Sequence, residues 1–321
     1  MSVAGPAYRP SEPMGAGAAF EAARLAMAMK LYRLTIYRQP SECGPPMAGR
    51  RGPTPRVIHG PSYDVCVRTR RLTDEELDHY GTQGWLLLHG LLEMTARDLQ
   101  DAVATVSSWP DDGEWLHHRE LTDSGPKLAR TENFTPFSEP LFSLLRQGAL
   151  PDVAGQLLGE PALLYKEKIN YKLVGGAGFS PHQDKPAYPF VDRVLSVMVA
   201  VDDATVENGC LFVASGRHHE LLDQDERGCI TEAIVASLDW EPVELRAGET
   251  LFFHALTPHR SGTNTSSADR RALYPTYNGV SEGDLRDAYY EAKRRAFAAE
   301  DDVATDRVRL SLIGDFEGRP A

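Results

Sequence analysis

The sequence lacks the features that mark disulfide-rich, zinc-ribbon and membrane-spanning proteins. It has four cysteines, Cys43, Cys66, Cys210 and Cys229, which lie far apart and form no C-x-x-C pair. Neither a disulfide framework nor a zinc ribbon is therefore indicated. No run of about 18 consecutive apolar residues occurs, so a hydrophobic membrane-spanning helix is not predicted. These features favour a reduced, cytoplasmic setting and no membrane partner.

Positive charge is scarce and unevenly distributed. The net charge of −12 disfavours a nucleic-acid partner. Residues 1–71 carry 11 Lys/Arg and four Asp/Glu, whereas residues 72–321 carry 23 and 42. Because residues 1–71 are rich in Pro, Gly and Arg, we predict a disordered basic extension there, with one short helix over 18–34. The folded domain is predicted to span residues 72–321.

The order of predicted elements indicates a mainly β protein with flanking helices. Thr73 and Glu76 form a capping-box pattern at the start of a first helix. Further helices are predicted over 93–109 and 138–159, and a last one over 282–300. Short β-rich runs separated by Gly, Asn and Pro fill the region between them. Helices followed by evenly spaced short strands predict a jelly roll.

Three residues carry the spacing of a metal site. His182 and Asp184 are two residues apart, so on a strand they would face the same side, and His259 follows 75 residues after Asp184. Two imidazoles and one carboxylate on one face of an octahedral ion suit non-haem Fe(II) and leave positions open for co-substrates. The alternative is an Asp–His surface pair together with an unrelated histidine.

An arginine eleven residues after His259 offers a partner for a carboxylate. Arg270 lies in the run RRALYPTY, and its guanidinium can bind a carboxylate through two hydrogen bonds. Strand alternation turns Arg271 to the opposite side, so Arg270 is the predicted ligand. Ser261 can add a hydroxyl to the same carboxylate. The alternative is that the two arginines form a solvated charge pair.

The run YKEKINYK is predicted to be a strand with a cationic face. Its even positions carry three cations and an amide: Lys166, Lys168, Asn170 and Lys172. Such a face points either to water or into an anion-binding cavity. Upstream of it, the RTENF segment with Arg130, Glu132 and Asn133 is interpreted either as part of a substrate lid or as a helix-capping connection.

Four segments resemble the phytanoyl-CoA dioxygenase family of Fe(II)/2-oxoglutarate oxygenases. They are HQDKPAYPF, ENGCLFVASGRHH, GETLFFHALTPHRSGTN and RRALYPTY, and the resemblance extends over about residues 72–297. It implies a cupin-like double-stranded β-helix in which His182, Asp184 and His259 bind iron. It also implies that Arg270 and Ser261 hold the distal carboxylate of 2-oxoglutarate, with O2 as the second co-substrate. Because the carboxylate at 184 is present, the resemblance does not extend to the halogenases of this class.

A closer resemblance to ectoine hydroxylases around the first barrel strand implies further roles. Lys168 and Asn170 would reach the co-substrate, and Phe179 and Tyr188 would lie beside it. The residues implied to line the substrate pocket are Lys166, Val194 and Met198, joined by Arg130 and Asn133 if RTENF forms a lid. No separate catalytic acid or base is expected.

The substrate suggested by the sequence is a small anionic metabolite. YKEKINYK, HQD, RTENF and the C-terminal YNGVSEGDLRDAYYEAKRRAF together resemble bacterial members that act on small aminophosphonates, such as 2-aminoethylphosphonate. A tailoring hydroxylase for natural products is the alternative within the same chemistry. A divalent-metal hydrolase or lyase and a non-catalytic binding protein are the alternatives outside it.

Overall fold

The computed structural model describes residues 70–122, 125–188 and 191–301. The predicted basic extension, apart from its last two residues, and the helix predicted over 18–34 lie outside the described residues. The helices in the described part are α1 (Asp74–Gln83), α2 (Ala96–Ser107), α3 (Glu139–Arg146), α4 (Ala149–Leu158), α5 (Glu232–Val235) and α6 (Arg286–Asp301). None of these described helices combines the length and apolarity that crossing a bilayer requires.

The strands of the described part form two antiparallel sheets. The strands are β1 (Trp85–Leu88), β2 (Leu116–Thr122), β3 (Gly125–Glu132), β4 (Ala162–Lys172), β5 (Phe179–His182), β6 (Val194–Ala200), β7 (Leu211–Val213), β8 (Glu241–Val243), β9 (Thr250–His254), β10 (His259–Ser261) and β11 (Arg270–Gly279). The larger sheet has the order β1-β9-β6-β11-β4-β3-β2, and the smaller one β5-β10-β7-β8. Strands distant in sequence are neighbours in both sheets, which confirms the predicted double-stranded β-helix.

Strand β6 shows how the two faces of the larger sheet are used. All of its residues are buried, as expected for a strand covered on both sides. Leu195, Val197 and Val199 pack into a core with the helices. Met198 and Ala200 pack on the other face, in a cluster that includes residues of β7 and β8 in the smaller sheet. The two sheets therefore face each other, and the helices cover the outside of the larger one.

Helix α1 begins and ends as its sequence predicts. The Thr73 hydroxyl accepts from the Glu76 N–H at 3.2 Å, and the Glu76 carboxylate accepts from the Thr73 N–H at 2.9 Å, which completes the capping box. The helix ends at Gly84, whose φ of 83° is left-handed. A Cβ at Gly84 would lie 2.5 Å from the His218 ring and 2.8 Å from the Thr257 hydroxyl. Glycine is thus required here by conformation and by space.

Replacing Gly84 with alanine is expected to destabilise the domain by about 2–4 kcal/mol, because a left-handed residue and two close contacts both oppose the new methyl group. Thermal unfolding measures this loss. The matched control is Gly81→Ala in the same helix, where nothing lies within 4 Å of the added Cβ. Alanine is the better helix former, so this control is expected to be neutral or slightly stabilising. Equal effects of the two changes would contradict the role of Gly84.

Candidate active site

Three side chains that can ligate a metal converge where β5 ends and β10 begins. His182 and His259 are Cα partners on these neighbouring strands. The Nε2 atom of each imidazole lies 3.7 Å from Oδ1 of Asp184, and all three side chains are buried. Two bonds of about 2.1 Å to one ion place its ligand atoms at most about 4.2 Å apart. The three residues therefore fit one ion bound on a single face.

Asp184 reaches this site from a turn and not from the strand that the sequence predicts. Strand β5 ends at His182, and Asp184 has helical φ and ψ at the start of the 3-10 turn Lys185–Ala187. Gln183 points the other way, and its amide donates to the carbonyl oxygens of Glu220 (2.9 Å) and Leu256 (2.6 Å). The two-residue spacing still places His182 and Asp184 on one side, because this amide holds the intervening residue on the other.

Hydrogen bonds orient each of the three candidate ligands. Nδ1 of His182 lies 2.7 Å from the Ser180 carbonyl, and Nδ1 of His259 lies 2.9 Å from the Thr257 carbonyl. A carbonyl only accepts, so we assign the proton of each ring to Nδ1, which leaves the Nε2 lone pair for a metal. Burial and the neighbouring His259 lower the pKa of His182, which favours the neutral, ligating form.

The carboxylate of Asp184 is also held by a partner on the larger sheet. The Ser196 hydroxyl on β6 donates to Oδ2, which leaves Oδ1 on the side of the imidazoles. Burial raises the pKa of Asp184, but electrostatic interactions with His259, His182 and Lys168 together with this hydrogen bond bring it below its usual value. An ionised carboxylate beside two imidazoles is the donor set typical of non-haem Fe(II).

A cavity with unused hydrogen-bond donors lies beside these residues. Asn170, Phe179, Ser261, Arg270 and Tyr274 are among the residues that line it. The Arg270 side chain is buried, and Nη2 donates to the Gly209 carbonyl at 3.2 Å. Within the described ranges, its Nε and Nη1 atoms have no acceptor. Because buried guanidinium donors require partners, the cavity fits an anion such as a carboxylate that accepts from this guanidinium.

Ser261 is fixed at the edge of the same cavity. Its Oγ accepts from the Lys172 ammonium at 3.0 Å and from the Phe179 N–H at 3.1 Å. The hydroxyl proton therefore remains available to a further acceptor. The chain approaches closely here, since a Cβ at Gly178 would lie only 1.9 Å from the Ser261 carbonyl oxygen.

The two adjacent arginines face opposite sides of β11. Arg271 makes a two-pronged ion pair with Asp202, with its Nε and Nη2 donating at 2.8 and 2.7 Å. Arg270 instead points to the cavity side, opposite Lys172 on β4. Strand alternation thus gives these two neighbours different partners.

A second group of cations lies further along β4. The Lys168 ammonium is 5.3 Å from the centre of the Tyr274 ring, and the Lys166 ammonium is 4.6 Å from the centre of the Tyr188 ring. Burial and neighbouring cations lower the pKa of both lysines, that of Lys168 to about 8. The charge of Asp184 acts on both in the opposite sense, so this group lies next to the candidate metal ligands.

Glu132 is the counter-charge of this second group. Its carboxylate accepts from Lys293 of α6 at 2.8 and 2.9 Å, with Arg130 Nη1 at 3.5 Å and His118 Nε2 at 3.8 Å. Burial raises the pKa of Glu132, but the charges of Lys293 and Arg130 hold it well below its usual range. We call Arg130, Glu132, Lys166 and Lys293 the cation cluster.

Most of the RTENF segment belongs to strand β3, and its last residue, Phe134, is the N-cap of the 3-10 turn Thr135–Phe137. Arg130 and Glu132 lie on β3, where they pair with Asn170 and Lys168 of β4. Asn133 follows the strand with a φ of 56°. Its side chain donates to the Glu114 carbonyl and accepts from Arg286, so the structure places it outside the cation cluster. Strand β3 was not predicted, because its polar sequence GPKLARTE shows no alternation of apolar residues.

The remaining predicted site residues lie in two places, some near Lys166 and one in the core between the two sheets. Tyr188 contacts Tyr165 and Lys166, and its hydroxyl lies 3.4 Å from that of Thr276. Thr276 is six residues along β11 from Arg270, or about 20 Å. Val194 packs with Tyr188 and Tyr165. Met198 instead packs in the core between the two sheets.

Several residues of the site carry little or no signal in the sequence. Lys172 was predicted only as a member of the cationic face of its strand, without a contact to Ser261. Ser196 was not predicted, although it lies at the correct alternation on β6. Tyr165 joins Lys166 on the inner face through a register shift between Thr276 and Tyr277 of β11, which a regular strand pattern does not contain. The position of Lys293 depends on how α6 docks, and no local pattern gives that.

Comparisons with known proteins agree with this geometry. The family model described as "Phytanoyl-CoA dioxygenase (PhyH)" matches residues 115–272. The chain is 47% identical over 253 residues to a protein of Gimesia maris named methylphosphonate hydroxylase, with 78% of this chain and 97% of that protein covered. It is 37% identical to a 2-aminoethylphosphonate dioxygenase of an uncultured bacterium, HF130_AEPn_1, with 71% and 90% covered.

A solved structure shares the fold. EctD from S. alaskensis, solved with 2-oxoglutarate and 5-hydroxyectoine, superposes with a TM-score of 0.59 at 22% identity and covers 67% of this chain and 81% of its own. At 22% identity, this similarity shows that the two proteins share the barrel fold.

Proposed function

This chain belongs to the phytanoyl-CoA dioxygenase family, and from that premise we propose that it hydroxylates a C–H bond of a small phosphonate. It is an Fe(II)- and 2-oxoglutarate-dependent dioxygenase. When bound, the iron supplies the oxidative chemistry, in which 2-oxoglutarate and O2 are consumed and succinate and CO2 are released. The protein supplies the ligand geometry, the orientation of the substrates and the exclusion of water.

Residue roles in this proposal follow from the donor sets described above. His182, Asp184 and His259 hold the iron, supported by the convergence of their ligand atoms. Arg270 and Ser261 hold the distal carboxylate of 2-oxoglutarate, supported by the unused donors of Arg270. Lys168, Asn170 and Phe179 contact the same co-substrate. Tyr188, which the resemblance placed beside 2-oxoglutarate, is instead proposed for the wall of the substrate pocket together with Val194, because it contacts Lys166.

The observation that carries the phosphonate proposal is the excess of buried positive charge near Asp184. Among the described residues at this end are four cations, Arg130, Lys166, Lys168 and Lys293. They face the buried carboxylates of Glu132 and Asp184 and the half-buried carboxylate of Glu120. Buried cations in excess are costly unless an anion joins them. Two relatives whose names specify phosphonate substrates supply the chemical class. Such a cationic pocket does not suit a neutral substrate of a tailoring hydroxylase.

The reducing, cytoplasmic setting predicted from the sequence remains part of the proposal. Cys210 is a free, buried cysteine. A buried free thiol is typical of proteins that function in reducing compartments, which supports that setting.

The proposal is tested with the wild-type chain loaded with Fe(II) under anaerobic conditions. 2-Oxoglutarate is expected to produce the weak visible charge-transfer band of its iron chelate, and methylphosphonate to perturb that band. After O2 is admitted, succinate release is expected to rise about 10-fold or more over the substrate-free rate, with a new 31P resonance from the product. Propanoate, a small carboxylate, is the control ligand. A chelate band with no phosphonate-dependent succinate would refute the substrate class but not the enzyme class.

A further inference from the structure

Helix α6 carries a lysine into the site. The Lys293 ammonium binds both oxygens of Glu132 at 2.8 and 2.9 Å, and its side chain is 14% exposed. Tyr289, one turn earlier, has its ring centre 5.7 Å from the Lys166 ammonium and 5.2 Å from that of the Tyr165 ring. The helix therefore forms one wall of the cation cluster.

The position of Lys293 is built into the fold. Arg286, in the first turn of α6, is 2% exposed, and its guanidinium makes a two-pronged ion pair with Glu167 on the outer face of β4. The Tyr290 hydroxyl donates to the Glu167 carbonyl at 2.7 Å and accepts from the Glu167 N–H at 2.9 Å. Because these buried contacts hold α6 against β4, they fix the position of Lys293 relative to Glu132.

The buried carboxylates around this end of the site, those of Glu132, Asp184 and Glu167, already have partners. Glu132 is bound by Lys293 and has Arg130 and His118 beside it. Asp184 is shared by the two imidazoles and Ser196, and Glu167 by Arg286. Glu120, half-buried, lines the cavity that contains Arg270 and acts electrostatically on Arg130. An ammonium group on the substrate would thus meet several cations and three buried carboxylates that are already bound, with the half-buried Glu120 beside Arg130 as the remaining carboxylate.

We propose that Arg130, Lys166 and Lys293 bind the phosphonate group of the substrate, and that the site selects phosphonates without an ammonium group over aminated ones. This inference rests on the proposed function. A phosphonate dianion has three oxygens, which matches in number the three cations that lie around Glu132. An ammonium group two or three bonds from the phosphorus would lie among those cations and be repelled. The selectivity would be that of an alkylphosphonate hydroxylase, in contrast to the aminophosphonate that the sequence suggests.

Two pairs of ligands of equal size isolate the effect of the ammonium charge. Ethylphosphonate and aminomethylphosphonate differ by CH3 in place of NH3+, and so do propylphosphonate and 2-aminoethylphosphonate. Dissociation constants are measured anaerobically on the wild-type Fe(II)–2-oxoglutarate complex from the perturbed visible band. The comparison is made within whichever of the two pairs has the lower dissociation constants. In that pair, the dissociation constant of the alkylphosphonate is expected to be lower than that of the aminated ligand by about 10-fold or more. Equal or tighter binding of the aminated member would overturn the proposal.

The outcomes separate this inference from the proposed function. No chelate band with 2-oxoglutarate would refute the enzyme assignment itself. A normal band that no phosphonate perturbs would refute the subsite and leave the oxygenase class standing. A normal band perturbed equally by both members of each pair would refute only the selection.

Lys293→Met tests the contribution of helix α6. The dissociation constant of the alkylphosphonate is expected to rise about 30-fold and that of its aminated partner by less, because one repelling cation has gone. Affinity for 2-oxoglutarate is expected to stay unchanged. Lys293→Arg keeps the charge and is expected to retain binding within about 5-fold. A purely structural role would weaken both ligands alike, and that result would overturn the assignment.

Arg295→Met is the matched control, since Arg295 lies on the same helix, is 75% exposed and pairs with Glu291. It is expected to leave all phosphonate affinities unchanged. If Lys293→Met unfolds because Glu132 loses its partner, the Glu132→Gln/Lys293→Met protein removes both charges and allows the same measurement. Retention of wild-type selectivity in that double variant would also overturn the proposal.

Discussion

Replacing His182 with alanine is expected to lower phosphonate-dependent succinate formation by about 1,000-fold or more and to abolish stoichiometric iron binding. The change removes one of two imidazoles from a three-ligand site, and the two remaining side chains cannot define the face on which the co-substrate must chelate. Metal content after gel filtration and the anaerobic 2-oxoglutarate band measure the loss.

The matched control is His89→Ala. His89 follows β1, has a side chain that is 71% exposed and pairs with Glu249, far in the sequence from the three candidate ligands. This variant is expected to keep its iron and its visible band. If the His182→Ala protein bound iron stoichiometrically and formed the band, the assignment of the metal centre would be wrong.

Replacing Arg270 with alanine is expected to raise the dissociation constant of 2-oxoglutarate about 100-fold, with iron binding preserved. The loss corresponds to about 3 kcal/mol, which is typical for removing one partner of a buried, charge-assisted pair. Titration of the iron-loaded protein with 2-oxoglutarate gives the constant directly. Arg270→Lys is expected to recover part of the loss, since a lysine keeps the charge but not the two-pronged geometry.

Arg271→Ala provides the comparison within the same dipeptide. Arg271 points away from the cavity and binds Asp202, so its removal is expected to reduce stability by about 1 kcal/mol and to leave the 2-oxoglutarate constant within about 2-fold. A reversed pattern, with Arg271 controlling the co-substrate, would contradict the facing of β11 in solution.

The candidate metal site was predictable because its signal is local. A histidine and an aspartate two residues apart face one side, and Arg270 and Arg271 are separated by the same alternation. The fold followed from the order of the elements and from the resemblance to a known family. Even there the local conformation differed, since Asp184 lies in a turn after β5.

The cation cluster was only partly predictable because it depends on contacts distant in sequence. The cationic face of β4 was visible as alternation, but Glu132 and Arg130 gain their role from pairing of β3 with β4. Lys293 gains its role from the docking of α6 through Arg286 and Glu167. Asn133 has a sequence neighbourhood that suggests the site, yet its contacts tie β3 to α6. Tertiary packing decides these positions.

The two halves of the active site are carried by different sheets. The candidate imidazole ligands belong to β5 and β10 of the smaller sheet, whereas Arg270 and the cations of β3 and β4 belong to the larger one. Hydrogen bonds that join the halves include those from the Ser196 hydroxyl to Asp184 and from the Lys172 ammonium to Ser261. Each sheet can keep its own backbone hydrogen bonds while the distance between the two sheets increases. Catalytic turnover therefore depends on the relative position of the two sheets more strongly than secondary-structure content does. If the sheets move apart, activity is expected to be lost before the far-ultraviolet circular dichroism changes.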